Sequence, residues 1–423
     1  MTTLRTGSFF GKGIFTADGD HAKMHRALAR PYFARERISE YESFRKYTDK
    51  LIVVLKRAIY SGEPIDVQDM FARFTIDTAG EFLFGTSDLN TLDLPFPKAS
   101  EAVIGPKGIA TDTVYGQPMP FWAAREFLVD SQTEMAKVIE GFLEPLAKKA
   151  MERKAQVLAS GEKMDEESFL DHLALSTDDV VLVKDQLLNM MLAARDTTAG
   201  LLSFTCYLLA MHPDVMLRLR QEILTAFGPI GLPTYDSLKT LKYLRAVLNE
   251  SLRIFPPVPI NSRSTKAPTI IPTRQGPLYI PRSAWQITWS VNAIHTRKDL
   301  WGDDADDFVP DRWLGERAKD IAADSFQFVP FNVGPRICLG QQFAYNEASF
   351  VLVRLLQVID DFTVAQTEAA PTGSLPPDEW KLRKGRQAIE QIHPQSAMTM
   401  YSKGGLWLRM HIASNTEADE LLT

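Results

Sequence analysis

The stretch LLNMMLAARDTTAGLLSFTCYLLAM, Leu187 to Met211, restricts the fold more than any other part of the chain. It is long enough to cross a bilayer. Yet Arg195 and Asp196 stand at its midpoint, where ionised side chains are costly in lipid. A helix that is apolar on all sides apart from one central polar step belongs in the core of a large protein. His212-Pro213 closes it, since proline cannot continue a helix. A core helix of this length needs an extensive surround. The chain supplies one, with 423 residues of which 45% are hydrophobic, a composition that excludes wholesale disorder.

Most of that surround reads as helix. LIVVLKRAIY, DMFARFTIDTAGEFLF, EMAKVIEGFLEPLAKKAMERKAQVL and YLRAVLNESLRIF all carry apolar residues at helical spacing. LASGEKMDEES is a charged break between helices. From Pro256 the character changes to short, proline-punctuated, β-forming pieces: PPVPINSRST, TIIP, GPLYIP and AWQITWSVNA. The tail SAMTMYSKGGLWLRMHI reads as a hairpin turning at Gly404-Gly405. No repeat or linker interrupts the pattern, so the expectation is one mainly α domain, residues 1–423, with small β-sheets late in the chain. A net charge of −6 argues against a nucleic-acid partner. The N-terminal residues lack the apolar run of a signal peptide. Two cysteines make no disulfide framework, and Cys206 in its apolar run reads as a small buried hydrophobe.

The second cysteine stands in an unusual frame. In FVPFNVGPRICLGQQF, Phe331, Gly334, Arg336 and Gly340 surround Cys338 at fixed offsets. A thiolate is a strong metal ligand. Glycines without a Cβ let a backbone turn tightly and approach a flat macrocycle. An arginine could grip a carboxylate of such a group, and Phe331 could shield the sulfur from water.

This frame resembles the haem-binding signature of the cytochrome P-450 family, and other segments extend the resemblance from Phe9 to Met410. AARDTTAG, Ala193 to Gly200, is similar to the family's oxygen-activation segment. By that resemblance Thr197 bonds the carbonyl one turn back, opening a small groove for dioxygen, while Asp196 relays protons from solvent. Ala194 stands where members usually have glycine. ESLR, Glu250 to Arg253, resembles the Glu-x-x-Arg helix motif, whose pair bonds an arginine of the later FVPDRW, here Arg312. That network is implied to be scaffold. Glu42 and Arg45 in ESFR match the spacing too, but lack the context. Arg26, Arg263 and Arg336 match propionate-binding arginines, and Ala22 replaces a tryptophan that usually helps Arg26. Ala193 is counted with the cofactor site. His21 and His25, at i, i+4 spacing, lack a third ligand at any known metal spacing.

The wording is most similar to fungal microsomal alkane and fatty-acid hydroxylases. The resemblance implies a haem-thiolate monooxygenase carrying haem b, iron protoporphyrin IX, on Cys338. It implies hydroxylation of a hydrophobic organic molecule with one oxygen atom of O2. Electrons would come from NADPH indirectly, through an NADPH-cytochrome reductase, with cytochrome b5 as an optional second donor. Arg30, Arg35 and Arg37 could dock that donor or be solvated surface charge. Met191, Leu192, Val258, Ile260, Ala397 and Met398 are implied pocket residues, or else ordinary core. The expected fold is that of the family without its N-terminal membrane anchor, first helix and first sheet strands. A full-length form would sit on the cytosolic face of the endoplasmic reticulum membrane. Two alternatives stay open: a thiolate-haem hydroperoxide isomerase or dehydratase, and a truncated product inactive as an enzyme.

Overall fold

The computed structural model describes residues 11–39, 41–85, 89–94, 131–161, 168–273, 275–281 and 286–414. Its longer helices include α1 (Gly19–Ala29), α2 (Glu42–Tyr60), α3 (Val67–Phe84), α4 (Ser131–Ser160), α5 (Phe169–Ser176), α6 (Val180–Met211), α7 (Pro213–Phe227), α8 (Lys242–Ile254) and α9 (Gln341–Val358). Side chains set several of their ends. Asp66 accepts from the Gln68 and Asp69 amides to start α3, and Gly85, at φ 66°, stops it. Ser168 and Asp171 form a reciprocal capping box at α5. Asp179 caps α6. At the other end of α6 the chain leaves helical geometry at His212, and Pro213 opens α7. Part of the charged break at 158–168 lies outside the described residues, as does the start of the family resemblance at Phe9.

Helix α6 runs through the interior as its composition demands. Leu201, Leu202, Phe204, Cys206, Tyr207, Leu208 and Leu209 are all buried in a cluster shared with α2, α3, α7, α8 and α9. Phe204 stacks on Phe255 just beyond α8, with ring centroids 4.5 Å apart. Burying such a ring contributes on the order of 2–3 kcal/mol. A smaller cluster flanks the N-terminal half of α6. It joins Leu187 and Leu192 to Tyr32, Leu83, Phe169 and Leu173, with Met191, Ala194, Leu339 and Met398 at its margin. Among the described residues no single helix is long and apolar enough to cross a membrane. The α6–α7 pair meets the length and composition test together but is bent by 114°.

The strands form four small antiparallel sheets. β2 (Ile260–Ser264) pairs with β5 (Gln286–Ser290), and β3 (Thr269–Thr273) with β4 (Gly276–Ile280). The tail departs from the sequence reading. β7 (Pro394–Ser396) pairs with β8 (Met400–Ser402) around a tight turn at residues 397–399. The chain then turns at Gly404 and Gly405, both with positive φ. β9 (Trp407–Ile412) does not fold back on β8. It lies between β1 (Ile65–Asp66) and β6 (Ile359–Val364) instead. The reason is local capture: Asp66 accepts from the Leu406 amide at 3.0 Å, and Gln366 accepts from the Trp407 amide at 2.9 Å. These bonds draw the segment away from its hairpin partner.

Candidate active site

The loop before α9 is shaped by two left-handed residues, Asn332 at φ 62° and Gly334 at φ 74°. The turn they make lets the Cys338 amide donate to Phe331 O at 2.9 Å and the Ile337 amide to Gly334 O at 3.0 Å. The Phe331 ring packs on Tyr345, 5.2 Å between centroids. Cys338 is exposed to solvent, yet protein surrounds it closely enough for desolvation to push its thiol above the usual range. The thiol is thus accessible to solvent while closely hemmed by protein. The Gly340 amide, hydrogen-bonded to the sulfur, and the Arg26 charge oppose the shift by favouring thiolate.

Three guanidinium groups gather at this loop. Arg26 donates to Ile337 O at 2.7 Å. Arg336 donates to Ala17 O and Ile14 O, both at 3.2 Å. Arg263 donates to its neighbour Ser262 O at 2.7 Å and lies over the Trp289 ring. Burial, and then the charge of Arg336, hold both Arg26 and Arg263 below the usual arginine value. Their hydrogen bonds go to backbone carbonyls, and among the described residues none of the three forms an ion pair with a carboxylate. Two of these cations feel the charge of the third, only the smaller effect of Asp18 offsets it at Arg263, and such a cluster makes a ready site for an anion.

Across the small cluster, α6 loses its burial for five successive residues, Ala193 to Thr197, before Thr198 is buried again. Thr197 Oγ1 donates to Ala193 O at 2.6 Å. The helix runs on without a break through this point. Asp196 accepts from Arg195 Nη1 at 3.0 Å, and burial raises its carboxyl above the ordinary carboxylate range against that pairing. α3 braces this point, with Thr75 Oγ1 donating to Arg195 O at 2.9 Å.

The Glu250 network lies fully buried. Glu250 Oε1 accepts from Arg253 Nη2, Arg312 Nε and the Val309 amide at 2.8, 2.8 and 2.9 Å. Its Oε2 accepts from Arg253 Nε and Trp313 Nε1, both at 2.9 Å. Arg253 also donates to His295 O, Ala305 O and Asp307 O. Glu42 and Arg45, with the same spacing, are exposed on α2.

The remaining candidates are scattered in exposure. Met191, Val258, Ala397 and Met398 are half-buried, Leu192 is nearly buried, and Ile260 is 56% exposed. Arg35 pairs with Asp236 at 3.2 Å, Arg37 lies over the Tyr32 ring, and Arg30 is exposed. His25 is buried with its Nδ1 2.6 Å from Gln186 Nε2, whereas His21 is exposed, so the two share no common site. Ala22 is buried.

Several residues that the sequence did not single out bear on the site. Amides of Lys12, Ile14 and Phe15 donate to Asp185, Gln186 and Asn189 of α6. This strap also carries the Ile14 carbonyl that Arg336 grips, so it bridges α6 to the cysteine loop. A Cβ on Gly13 would stand 2.3 Å from the Asn189 amide, and the close fit requires glycine there. His295 Nε2 accepts from the Val329 amide at 2.9 Å, linking the Glu250 network to the loop. Glu347 of α9 is buried against Thr198 with its oxygens short of a full hydrogen bond, and burial lifts its carboxyl to about 8. Only the strap carried a readable hint, its paired glycines.

The site suits a planar cofactor bearing acidic side groups: an accessible thiol, arginines without a carboxylate ion pair among the described residues, and the half-open stretch of α6, whose Ala194 packs on the same apolar cluster as Leu339. Comparison with known proteins agrees. The Cytochrome P450 family matches over residues 1–372. Cytochrome P450 52E1 of Candida apicola is 38% identical over 368 residues, covering 82% of this chain and 68% of that protein. Cytochrome P450 52A6 of Candida tropicalis is 37% identical over 372 residues, 83% and 69% of the two chains. Cytochrome P450 monooxygenase himC of Aspergillus japonicus is 35% identical over 386 residues, 86% and 65%.

Proposed function

The chain belongs to the cytochrome P450 family and is a monooxygenase-type oxidoreductase, and we propose that it hydroxylates a hydrophobic organic substrate with Cys338 as its haem ligand. The observation that carries this reading is the Cys338 thiol, open to solvent and served by the Gly340 amide and Arg26. Haem b bound on that thiolate supplies the O–O cleavage and oxygen insertion. Arg26, Arg263 and Arg336 would hold the propionates, whose charge would offset the repulsion that Arg336 exerts on the other two. Phe331 and Gly334 shape the loop, and Gly340 directs its N–H at the sulfur.

The Asp196 carboxyl, raised above the ordinary carboxylate range by burial and paired with Arg195, is placed to relay a proton from solvent. Thr197, its hydroxyl held on Ala193 O, passes that proton into the site. Met191, Leu192, Val258, Ala397 and Met398 supply apolar contacts for the substrate, and Ile260, on the exposed face of β2, marks its outer margin. Glu250, Arg253 and Arg312 brace the fold behind the loop. Electrons reach the site from NADPH through a reductase, with cytochrome b5 as an optional donor. Of the basic residues suggested for that docking, Arg30 is the one exposed without an ion pair among the described residues. We place the chain's 423 residues in one domain, with the full-length form on the cytosolic face of the endoplasmic reticulum.

Carbon monoxide difference spectroscopy on the reduced protein tests the ligand. A red-shifted Soret band that Cys338→Ser abolishes is expected, and its persistence in that variant would overturn the assignment. Turnover with NADPH and a reductase, set against turnover with a hydroperoxide alone, then tests the chemistry. Rearranged or dehydrated hydroperoxide as the product, with no product from NADPH, reductase and O2, would refute hydroxylation.

A further inference from the structure

The backbone at position 332 asks for glycine. At φ 62° a non-glycine residue is strained, and asparagine is among the side chains that tolerate the left-handed region best. If turning were the sole requirement, glycine would serve. Asparagine adds an amide, and that amide has a partner. Asn332 Nδ2 donates to Asn261 Oδ1 at 2.9 Å, half-buried, across 71 residues of chain.

Asn261 sits on β2, two residues before Arg263. Alternation along a strand sends both side chains to the same face. Asn332 likewise precedes Arg336 in the cysteine loop. The hydrogen bond between the two side-chain amides therefore joins two elements that each carry a cation, and Arg336 lies close enough to disfavour the charge of Arg263. Asp18 offsets part of that repulsion at Arg263, and the remainder acts to separate β2 from the loop. A direct tie between the two elements opposes it.

We propose that Asn261 and Asn332 are a positioning pair, clamping β2 to the cysteine loop so that Arg263 and Arg336 stay converged on the cofactor's carboxylates. This rests on the reading that those arginines hold the propionates. The clamp pre-organises the anion site: it meets the cost of holding like charges together before the cofactor arrives, so less of the binding energy is lost in assembling the site. The side chains touch neither substrate nor reacting atoms, and they act through the arginines.

The test is the rate at which the holoenzyme gives up haem to excess apomyoglobin, followed at the Soret band, with urea unfolding midpoints in parallel. Asn332→Gly keeps the turn and removes the clamp, while Asn261→Ala removes its other half. Each should speed haem loss about fivefold to tenfold, the effect of one polar hydrogen bond. The double variant should be no faster than either single one, because both remove the same bond. The unfolding midpoint of Asn332→Gly should fall by no more than the loss of that one hydrogen bond accounts for, whereas a general structural role would lower it further. Native rates of haem loss in both single variants, or rates that multiply in the double variant, would overturn the clamp. Arg263→Gln and Arg336→Gln separate the two levels. If they release haem faster while the asparagine variants do not, the clamp falls and the propionate assignment stands. If the arginine variants also keep haem at the native rate, the propionate assignment falls and the clamp falls with it.

Discussion

Glu250→Gln is the sharpest perturbation of the scaffold, because the geometry dictates its cost. The two carboxylate oxygens take five donors: three on Oε1 and two on Oε2. A glutamine must place its own NH2 on one side or the other. The less costly choice gives up the Oε2 side, losing bonds from Arg253 Nε and Trp313 Nε1 and setting donor against donor. It also leaves the fully buried Arg253 guanidinium without a counter-charge and Arg312 with Asp304 alone, at 3.4 Å. Losing two such bonds at roughly 1.5–3 kcal/mol for a charged partner gives about 3–6 kcal/mol. The expected loss from removing half of a buried ion pair, about 3–5 kcal/mol, falls in the same range. We therefore expect a destabilisation of about 4 kcal/mol, nearly a thousandfold in the folding equilibrium.

Urea unfolding read by tryptophan fluorescence measures it, and the Trp313 indole, itself a member of the network, reports on the site directly. Glu42→Gln is the matched control. It has the same Glu-x-x-Arg spacing on an exposed helix face, so its effect should stay within about 0.5 kcal/mol. Haem retention should fall as well in Glu250→Gln, since Arg253 holds His295 O and His295 holds the Val329 amide ahead of the cysteine loop. A loss below about 1 kcal/mol, or one equal to that of the control, would refute the claim that this network carries the scaffold.

Thr197→Ala should keep the thiolate Soret band but consume oxygen with less product per O2, since the hydroxyl on Ala193 O is removed while the cysteine loop is untouched; paired oxygen-electrode and product assays read this. Gly13→Ala should lift the strap, because its Cβ would fall 2.3 Å from Asn189, at a cost of about 1–3 kcal/mol and with faster limited proteolysis near residue 13. Stability should fall on both sides in pH. His295 is buried and lowered to about 3, chiefly by desolvation, so the unfolded chain binds the proton first and stability drops as pH falls from about 6.5 toward 3. Glu347 is raised to about 8 by burial, so the folded chain keeps its proton longer and stability drops as pH rises from about 4.5 toward 8. Glu347→Gln should flatten that second limb in urea midpoints taken across pH, and an unchanged profile would refute it.

What could be read from the sequence depended on how far apart the interacting residues lie. Thr197 bonds Ala193 one helical turn away, and any helix places them so, which is why the bond was foreseeable from AARDTTAG alone. The core role of α6 was likewise a matter of its own composition. The tail was misread because alternation and paired glycines mark a strand and a turn, but they do not say which edge the strand will meet. That choice fell to Asp66 and Gln366, about 340 and 41 residues from their partners. The same holds for Asn261 with Asn332, Glu347 with Thr198, and Lys12 with Asp185: each residue is ordinary where it stands and acquires its role from a neighbour delivered by the fold. Arg312, 62 residues beyond Glu250, was foreseeable in spite of that distance, through resemblance to a family whose spacing already encodes the packing. Long-range polar pairs of this kind become readable in one of two ways, through such a family pattern or through a backbone cue. Asn332 offers the second: an asparagine placed in a turn among glycines is a residue whose side chain has a reason to be there.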